Sequence, residues 1–380
     1  MTTSEPATTA PPVGPIRQVV LQATGFCNID CSYCYLPDRL TRTVMPLATV
    51  RATARALARS GLLAEEVEVR WHAGEPLTAP RPFYAEAHAV LRRELEGRTR
   101  LSFSLQTNGL LLDHAWVEFL RTERVRVGVS LDGPEEVHDA YRRTRAGRGT
   151  LARALKGVAH LTEAGLPYDV ISVITPVTLS RTRAYLDFMA ELAPRSLGLN
   201  PEETEGGNAS TLHRSAGFEE EYRAFLREVA AWSGRTGIDV RELVHMRRHV
   251  LENDLPVRNT QNEPLSIVTV GVDGRVSSFS PELFGWTSET YGDFVAGRVT
   301  DPGFRFDHWP DPFRRMASDV ERGRANCERT CPYYALCGGG APANKWAETG
   351  DLAATRTRFC SLGVMAVADV VLESLEPAPR

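Results

Sequence analysis

Two groups of cysteines are the residues of this chain whose types and spacing point most directly to chemistry. Seven cysteines occur in all, and none lies between the two groups. The first group is Cys27, Cys31 and Cys34, and the second is Cys327, Cys331, Cys337 and Cys360. A protein in the reducing cytoplasm keeps its thiols reduced, so we expect these cysteines to bind metal or to act in catalysis rather than to form disulfides.

The first group has the spacing C-x3-C-x2-C and predicts an iron–sulfur cluster with one open iron. Three thiolates so close together bind three irons of a 4Fe–4S cube, and the fourth iron is left without a protein ligand. An open metal position is typical of catalytic rather than structural sites. The alternative is a zinc knuckle, but zinc takes four ligands, and neither a histidine nor a fourth cysteine lies near this segment.

The second group supplies four thiolates, which are enough to complete the coordination of a 4Fe–4S cluster and leave no open iron. Four cysteines also suit tetrahedral zinc, so the spacing leaves both kinds of site open. A cluster that is fully ligated by protein cannot readily bind substrate. We therefore expect it to accept electrons, to tie the C-terminal segments together, or to do both.

The elements that position the first group form a repeating pattern of strands and helices over the first half of the chain. We predict strands at Arg17–Gln22, Val67–His72, Leu101–Gln106, Val125–Leu131, Tyr168–Ile174 and Ser196–Asn200. Amphipathic stretches separate them, which is typical of an α/β fold with a parallel sheet and crossover helices. Eight such units make a closed TIM barrel, so six predict a partial (β/α)6 barrel. Functional residues collect at the carboxyl ends of such strands, where the first cysteines lie.

Composition and charge limit the class of protein. Of 380 residues, 42% are hydrophobic, so most of the chain is expected to fold. A net charge of −4 argues against binding to nucleic acid or to a membrane surface, and no apolar run approaches the roughly 18 residues of a transmembrane helix. We divide the chain into a flexible tail (1–16), a barrel (17–215), a helical bridge (216–263) and a metal-binding C-terminal domain that opens with a hairpin (264–380).

The first cysteine motif, with the aromatic Tyr33 directly before its last cysteine, resembles the CxxxCxΦC pattern of radical S-adenosylmethionine (SAM) enzymes. In that family the amino and carboxylate groups of SAM chelate the open iron, and an electron from the cluster cleaves SAM to a 5′-deoxyadenosyl radical. The resemblance therefore implies SAM as a further cofactor and an external electron donor of the flavodoxin or ferredoxin type.

The ends of the next strands carry further motifs that resemble those of the same family. The segment 73–76 resembles the GGEP motif that contacts the SAM amino group, with Ala73 in place of the first glycine. The segments 106–109 and 130–133 resemble those that line the SAM ribose and carboxylate, and Arg142 is expected near that carboxylate. The resemblance thus implies a SAM-binding set of Tyr33, Ala73, Gly74, Glu75, Pro76, Gln106, Asn108, Ser130, Asp132 and Arg142.

The second cysteine group resembles the SPASM domain of radical SAM peptide-modifying enzymes, which favours iron over zinc. A full SPASM domain carries two auxiliary clusters and needs more cysteines than this chain has. Ala341 and the serines Ser277, Ser278 and Ser280 stand where that family has further cysteines. The resemblance therefore implies one auxiliary 4Fe–4S cluster, held by Cys327, Cys331, Cys337 and Cys360.

Two segments resemble one branch of the SPASM enzymes, the maturases that form cyclophanes in ribosomally synthesised precursor peptides; these segments are Cys337–Lys345 and Leu199–Glu203. Such enzymes join an aromatic ring carbon to the β-carbon of a nearby residue. The product forms by loss of an electron and a proton, so the reaction needs a base. The candidate bases are Glu202, Glu203, Glu282 and Asp273, with the first two favoured because they follow a barrel strand.

Other reactions stay open on this basis. Within the SPASM enzymes they are thioether or ether crosslinking, epimerisation and formylglycine formation. An iron–sulfur electron carrier and a zinc-stabilised binding module are the alternatives from other classes. The barrel motifs begin near residue 17 and only a short segment follows Cys360, so we expect no separate leader-recognition domain. The peptide is then expected to bind at the barrel mouth, the 201–264 segment or the hairpin.

Overall fold

One ten-stranded sheet organises the protein. The structure is a computed structural model, and it describes residues 13–206, 208–212, 217–252 and 255–375. The strands are β1 (Ile16–Leu21), β2 (Leu63–Trp71), β3 (Arg100–Thr107), β4 (Val125–Ser130), β5 (Tyr168–Ile174), β6 (Ser196–Pro201), β7 (Asp239–Val240), β8 (Ile267–Val270), β9 (Arg275–Ser278) and β10 (Gly297–Arg298). They lie in the order β10-β9-β8-β1-β2-β3-β4-β5-β6-β7.

Helices connect the strands and cover the sheet. They are α1 (Leu47–Ser60), α2 (Arg81–Leu95), α3 (His114–Thr122), α4 (Glu135–Tyr141), α5 (Leu151–Glu163), α6 (Pro176–Leu179), α7 (Thr182–Leu192), α8 (Phe218–Thr236), α9 (Arg241–Glu252), α10 (Asp311–Thr330), α11 (Tyr334–Cys337), α12 (Pro342–Thr349) and α13 (Val367–Leu375). None of the helices in the described ranges is long and apolar enough to cross a membrane.

Strands β1 to β7 pair in chain order and run parallel, as the alternation of strands and helices predicts. All six predicted strands are present, and the main difference is that β2 begins at Leu63 rather than Val67. The strands β7 and β10 are left at the two edges, so the sheet does not close. The partial barrel predicted from the sequence is therefore confirmed.

Helix α1 shows how the sequence builds the outer layer of the barrel. Val50, Ala54 and Leu57 recur at the spacing of one helix face, and all three are fully buried. Burying a side chain as large as that of Val50 or Leu57 contributes roughly 1.5–3 kcal/mol. Gly61 then adopts a left-handed conformation with φ 66° and ends the helix, which lets the chain turn back into β2.

The predicted hairpin forms, and it also extends the barrel sheet. Strands β8 and β9 pair antiparallel, with Thr269 opposite Ser277. Strand β8 pairs parallel with β1, with Val19 opposite Val268. The first barrel strand therefore has β2 on one side and β8 on the other, and the segment after residue 264 shares its sheet with the barrel.

The last helix packs on α8 and on the segment just before α11. Arg227 of α8 forms an ion pair with Glu373 of α13 at 2.9 Å, and the Tyr333 hydroxyl donates to Asp369 of α13 at 2.7 Å. The predicted closing helix has two parts, because Cys360–Ala366 is π-helical and only Val367–Leu375 is α-helical. Such π-helical turns are rare and often occur at functional sites.

Candidate functional site

The first cysteine group lies in the loop after β1, and residues from the loop after β3 and from the end of α4 reach it. The Asn108 amide donates to Asn28 Oδ1 at 2.7 Å, and its nitrogen lies 3.9 Å from Cys27 Sγ. A guanidinium nitrogen of Arg142 lies 3.9 Å from Cys31 Sγ. The carboxyl ends of these strands therefore meet at the cysteine loop, as expected for a parallel sheet.

Burial controls the acidity of these thiols. It raises the pKa of Cys27 to about 11 and the pKa of Cys31 to about 12, although the charge of Arg142 offsets part of the effect at Cys31. Both groups therefore stay protonated at neutral pH unless a cation binds beside them. Metal binding to thiols releases the proton and supplies that cation, so this donor set fits an iron–sulfur cluster.

The Glu75 carboxylate joins the loop after β2 to the loop after β3. Its Oε1 accepts hydrogen bonds from the Leu77 N–H at 2.9 Å and the Thr107 hydroxyl at 2.7 Å, and its Oε2 accepts one from the Asn108 N–H at 2.8 Å. Burial raises the pKa of Glu75 to about 6, although these hydrogen bonds oppose the shift. Glu75 is thus a positioning residue for the two motif loops.

Gly74 is required where the loop after β2 crosses the cysteine loop. Its φ is 63°, and a Cβ at this position would lie 2.5 Å from the Thr24 carbonyl oxygen and 2.8 Å from that of Phe26. The preceding Ala73 is also left-handed, with φ 68°. A non-glycine residue in this conformation costs roughly 1–2 kcal/mol, so the alanine that replaces the first glycine of the GGEP pattern is tolerated with some strain.

We expect Gly74→Ala to lower the free energy of unfolding by about 3 kcal/mol or more, because it adds a steric clash to the cost of the left-handed conformation. Gly61→Ala is the matched control: its φ is 66°, but no atom lies within 4 Å of the added Cβ, so a loss of only about 1–2 kcal/mol is expected. Urea unfolding of the two variants measures the difference. Equal losses would contradict the close approach of the two loops.

Asp132, Arg142 and Tyr33 form a buried polar cluster beside the cysteines. Arg142 Nε donates to Asp132 Oδ2 at 2.8 Å, and the Tyr33 hydroxyl donates to the same oxygen. The guanidinium carbon lies 5.4 Å from the centre of the Tyr33 ring. The Val173 N–H donates to the other Asp132 oxygen at 3.0 Å, which fixes the cluster to β5. The predicted SAM-binding residues Tyr33, Asp132 and Arg142 are thus brought together, with Arg142 paired to Asp132.

Gln106 and Ser130 form a second polar pair at the ends of β3 and β4. The Gln106 amide donates to the Ser130 hydroxyl at 2.9 Å, and both side chains are half-buried. The predicted SAM-binding residues therefore lie at one end of the sheet. Their contact with SAM stays a prediction.

The four C-terminal cysteines line one cavity. Cys327 lies in α10, Cys331 directly after it, Cys337 at the end of α11 and Cys360 at the start of the π-helical segment. The Gly340 N–H donates to Cys337 Sγ at 3.1 Å, and the Thr357 hydroxyl donates to Cys360 Sγ at 3.1 Å. Hydrogen bonds to ligand sulfurs are a regular feature of iron–sulfur sites.

In the part of the chain that the structure describes, the C-terminal cysteine sulfurs are spaced more widely than the ligands of a single zinc ion, and the kind of metal bound there stays a prediction. Tetrahedral zinc, with bonds of about 2.3 Å, brings its ligand sulfurs to within roughly 4 Å of one another. Among the residues that the structure describes, no three cysteine sulfurs lie within 4.8 Å of one another, and the group that meets this distance is His114, His160 and Glu163 on the outer helices. Each cysteine of a 4Fe–4S site binds a different iron, which accommodates wider spacing.

Three glutamates from two separate segments gather beside the first cysteine loop. Glu203 and Glu205 follow β6, and Glu282 lies in a 3-10 turn after β9. Their charges interact with one another, and that of Glu205 also interacts with Cys34. The Glu203 carboxylate accepts a hydrogen bond from the Asn344 amide of α12. The structure therefore places this carboxylate group (Glu203, Glu205 and Glu282) between the first cysteines and the C-terminal helices.

Burial and mutual repulsion raise the pKa values of the carboxylate group. Burial is the main cause at each member, and the charge of Glu282 adds to it at Glu203 and Glu205. Hydrogen bonds from Asn344 to Glu203 and from Ser280 to Glu282 oppose the shifts. Carboxyl groups with raised pKa values exchange protons closer to neutral pH, as a catalytic base must.

Glu205 joins this group without belonging to any sequence motif. Its only signal is its position two residues after Glu203, in a loop that follows a barrel strand. Tyr35 lies among the same charges, since Glu282, Cys34 and Glu205 all contribute to the raised pKa of its hydroxyl after burial. That hydroxyl is buried and has no hydrogen-bond partner in the part of the chain that the structure describes.

The other two candidate bases lie in different surroundings. Glu202 is 3% exposed, and its Oε2 accepts hydrogen bonds from the Thr211 N–H at 2.8 Å and the Thr211 hydroxyl at 2.5 Å. Asp273 lies in the β8–β9 turn, where Arg275 is 2.7 Å away. Although burial opposes it, hydrogen bonds and charge from Arg275 hold the pKa of Asp273 below its ordinary value. The Glu202 carboxylate therefore stabilises the loop that follows β6, and the Asp273 carboxylate is ion-paired with Arg275.

Comparison with known proteins connects this geometry to a family. The family model of the radical SAM superfamily matches residues 21–192, which contain the first cysteine group and the strand-end motifs. An uncharacterized protein of Synechocystis sp. is 34% identical over 369 residues, which cover 96% of this chain and 93% of that protein. The serine-type anaerobic sulfatase-maturating enzyme of Bacteroides thetaiotaomicron is 29% identical over 191 residues, covering 49% of this chain and 46% of that enzyme.

Two solved structures share the fold over nearly the whole chain. The structure of anSMEcpe with bound AdoMet matches with a TM-score of 0.75 at 18% identity, over 95% of this chain and 98% of that chain. Streptococcus suis SuiB bound to precursor peptide SuiA matches with a TM-score of 0.61 at 14% identity, over 92% and 76%. The family match and the convergence of the motif loops on the cysteines show that residues 21–192 form a radical SAM domain and that the protein is an enzyme.

Proposed function

We propose that the protein is a peptide maturase that forms a carbon–carbon crosslink, a cyclophane, between an aromatic side chain and a nearby β-carbon of a ribosomally synthesised precursor peptide. The observation that carries this proposal is the position of the carboxylate group between the two cysteine groups. Glu205 lies near Cys34, and Glu203 is hydrogen-bonded to Asn344 of α12, the helix that also contacts Cys327. An oxidative crosslink needs both a proton acceptor and an electron acceptor, and this arrangement supports the presence of both.

Known proteins of similar fold support a peptide or protein side chain as the substrate. The crystal structure of SuiB contains the bound precursor peptide SuiA, and a solved structure of anSMEcpe contains AdoMet and the Cp18Cys peptide. Several sequence relatives are anaerobic sulfatase-maturating enzymes, of both the serine type and the cysteine type. We therefore infer that this protein also acts on a peptide.

The two cysteine groups fit two clusters with different tasks. When bound, the cluster at Cys27, Cys31 and Cys34 supplies the electron that cleaves SAM to the 5′-deoxyadenosyl radical, and an auxiliary cluster at the four C-terminal cysteines supplies an electron acceptor. The serines that replace further SPASM cysteines are satisfied without metal: the Ser277 hydroxyl donates to Phe294 O at 2.8 Å and the Ser278 hydroxyl to Ile267 O at 3.1 Å. This supports one auxiliary cluster rather than two.

The proposed reaction balances as a loss of two hydrogens from the peptide. A hydrogen atom passes from the β-carbon to the 5′-deoxyadenosyl radical, which becomes 5′-deoxyadenosine. The radical that is left on the β-carbon then adds to the neighbouring aromatic ring. One electron and one proton then leave the ring, which restores its aromaticity. We assign the proton to the carboxylate group, with Glu203 as the first acceptor, because its raised pKa suits a base that works near neutral pH.

Formylglycine formation is the second candidate. The observation that favours it is the sequence similarity to sulfatase-maturating enzymes, which includes 32% identity over 182 residues to the serine-type enzyme of Klebsiella aerogenes. That similarity covers 47% of this chain, so it does not extend over the whole protein. Oxidation of a serine to an aldehyde also removes two hydrogens, so the mass of the product alone does not separate the two reactions.

Tandem mass spectrometry of the product distinguishes crosslink formation from formylglycine formation. The protein, reconstituted with iron and sulfide under anaerobic conditions, is incubated with SAM, a reductant and a candidate precursor peptide from a short open reading frame beside its gene. We expect 5′-deoxyadenosine together with a peptide whose fragments show a bond between an aromatic ring and a β-carbon. An aldehyde at a serine or cysteine would support formylglycine formation instead. Cleavage of SAM with an unchanged peptide would reject that peptide as the substrate.

A further inference from the structure

Lys345 is a buried lysine at the C-terminal cysteine cavity. Its side chain is only 2% exposed, whereas Lys156, the other lysine of the sequence, lies on the exposed side of α5. Lysine is rarely buried without a partner, because removing an ammonium ion from water is costly. Something must therefore compensate the charge of Lys345.

Among the residues that the structure describes, the hydrogen-bond partner of the Lys345 ammonium group is a sulfur atom. Its Nζ lies 3.7 Å from Cys327 Sγ, and a Cβ on Gly323 would lie 3.0 Å from the same nitrogen. In the described ranges of the chain, no carboxylate oxygen lies within 4.0 Å of this Nζ. Protein groups thus pack closely around the ammonium ion without an acidic side chain that neutralises it.

An anionic metal centre would supply the missing negative charge. Four thiolate ligands make the C-terminal site strongly negative, and the iron cube offsets only part of that charge. Reduction of the cluster adds one more negative charge beside a fixed positive charge in a low-dielectric interior. The ammonium ion therefore favours the reduced cluster over the oxidised one.

We propose that Lys345 is the counter-ion of the auxiliary cluster and raises its reduction potential, which makes the cluster a better acceptor of the electron released in the crosslinking step. This inference rests on the auxiliary cluster of the proposed function. Lys345 is a positioning residue here, since it acts through Cys327. Its neighbour Asn344 contacts Glu203, so adjacent residues of α12 reach both the sulfur site and the carboxylate group.

A potentiometric titration tests this role without any catalytic assay. The background is the full chain with Cys27, Cys31 and Cys34 all changed to Ala, so that only the C-terminal cluster can form. In that background, Lys345→Met is expected to lower the equilibrium constant for reduction of the cluster at least about tenfold. For one electron this corresponds to a reduction potential that is lower by about 59 mV or more. Electron paramagnetic resonance measures the fraction of reduced cluster at each potential. Lys156→Met is the matched control and should leave the potential unchanged. Lys345→Arg should keep most of the wild-type value.

The other outcomes separate this inference from the proposed function. An unchanged potential in Lys345→Met at full iron content would overturn the role of Lys345, while the cluster and the crosslinking reaction would stand. Zinc in place of iron in the background chain would overturn both the auxiliary cluster and its counter-ion. If Lys345→Met fails to bind iron, the potentials of Lys345→Gln and Lys345→Arg are compared instead. A lower potential in Lys345→Gln than in Lys345→Arg supports the role of the positive charge. Equal potentials in these two variants refute that role.

Discussion

Replacing Cys31 by alanine is expected to abolish cleavage of SAM while leaving the C-terminal cluster in place. Cys31 is one of three thiols in the loop after β1, and a cube held there has no spare protein ligand. The buried guanidinium of Arg142, 3.9 Å from its sulfur, would also lose a neighbouring negative charge. Production of 5′-deoxyadenosine after anaerobic reconstitution and reduction should fall to the level of a reaction without protein, and iron should fall from about eight to about four per chain.

Cys331→Ala is the matched control in the second group. It should also lower the iron content, but 5′-deoxyadenosine should still form, because the first group is intact. If Cys31→Ala cleaves SAM at the wild-type rate, the assignment of the first group is wrong. Wild-type protein with only about four irons would mean that the C-terminal cysteines hold no cube.

Replacing Glu203 by glutamine is expected to separate radical formation from product formation. Glutamine keeps the size of the side chain and can still contact Asn344, but it cannot take up a proton. Crosslinked peptide should fall by about 10²–10⁴-fold, which is the usual contribution of a general base, while 5′-deoxyadenosine continues to form. The measurement is the ratio of crosslinked peptide to 5′-deoxyadenosine under anaerobic conditions, which cancels any effect on SAM cleavage.

Two controls accompany this prediction. Glu289→Gln changes an exposed carboxylate on the segment after β9 and should leave the ratio unchanged. Glu202→Gln tests the neighbouring residue whose carboxylate is bound to Thr211, and it should disturb the loop without the same selective loss of product. A wild-type ratio in Glu203→Gln would remove Glu203 from the role of base and leave Glu205 and Glu282 to be tested in turn.

The pH dependence of the same ratio follows from the raised pKa of Glu203. A base works in its deprotonated form, so the ratio should increase with pH as Glu203 loses its proton. Burial raises this pKa above the ordinary value of 4.5, so product formation should decline already at mildly acidic pH, where an ordinary carboxylate would still be charged. In Glu203→Gln, the increase of the ratio with pH should be absent. If the increase persists in that variant, another titrating group causes it.

The sequence indicated the first cysteine site and the barrel because both depend on local patterns. Three cysteines within eight residues lie close together in almost any fold, and their spacing alone predicts a shared metal centre. The strand ends that carry Gly74 and Asp132 were marked by the alternation of strands and helices, and parallel strands bring their carboxyl ends to one edge. The gathering of these motifs around Cys27 and Cys31 follows from that topology.

Tertiary structure alone decided which carboxylates lie together and what surrounds the second cysteine group. Glu203, Glu205 and Glu282 belong to segments that meet only because β8 pairs with β1 and brings the hairpin back to the barrel. Glu202 and Asp273 instead bind the local partners Thr211 and Arg275, and no motif reveals either contact. The burial of Lys345 against Cys327 likewise depends on how α10 and α12 pack. Charges and burial change pKa values through neighbours in space, and such neighbours are distant in the sequence, which is why local patterns could not predict them.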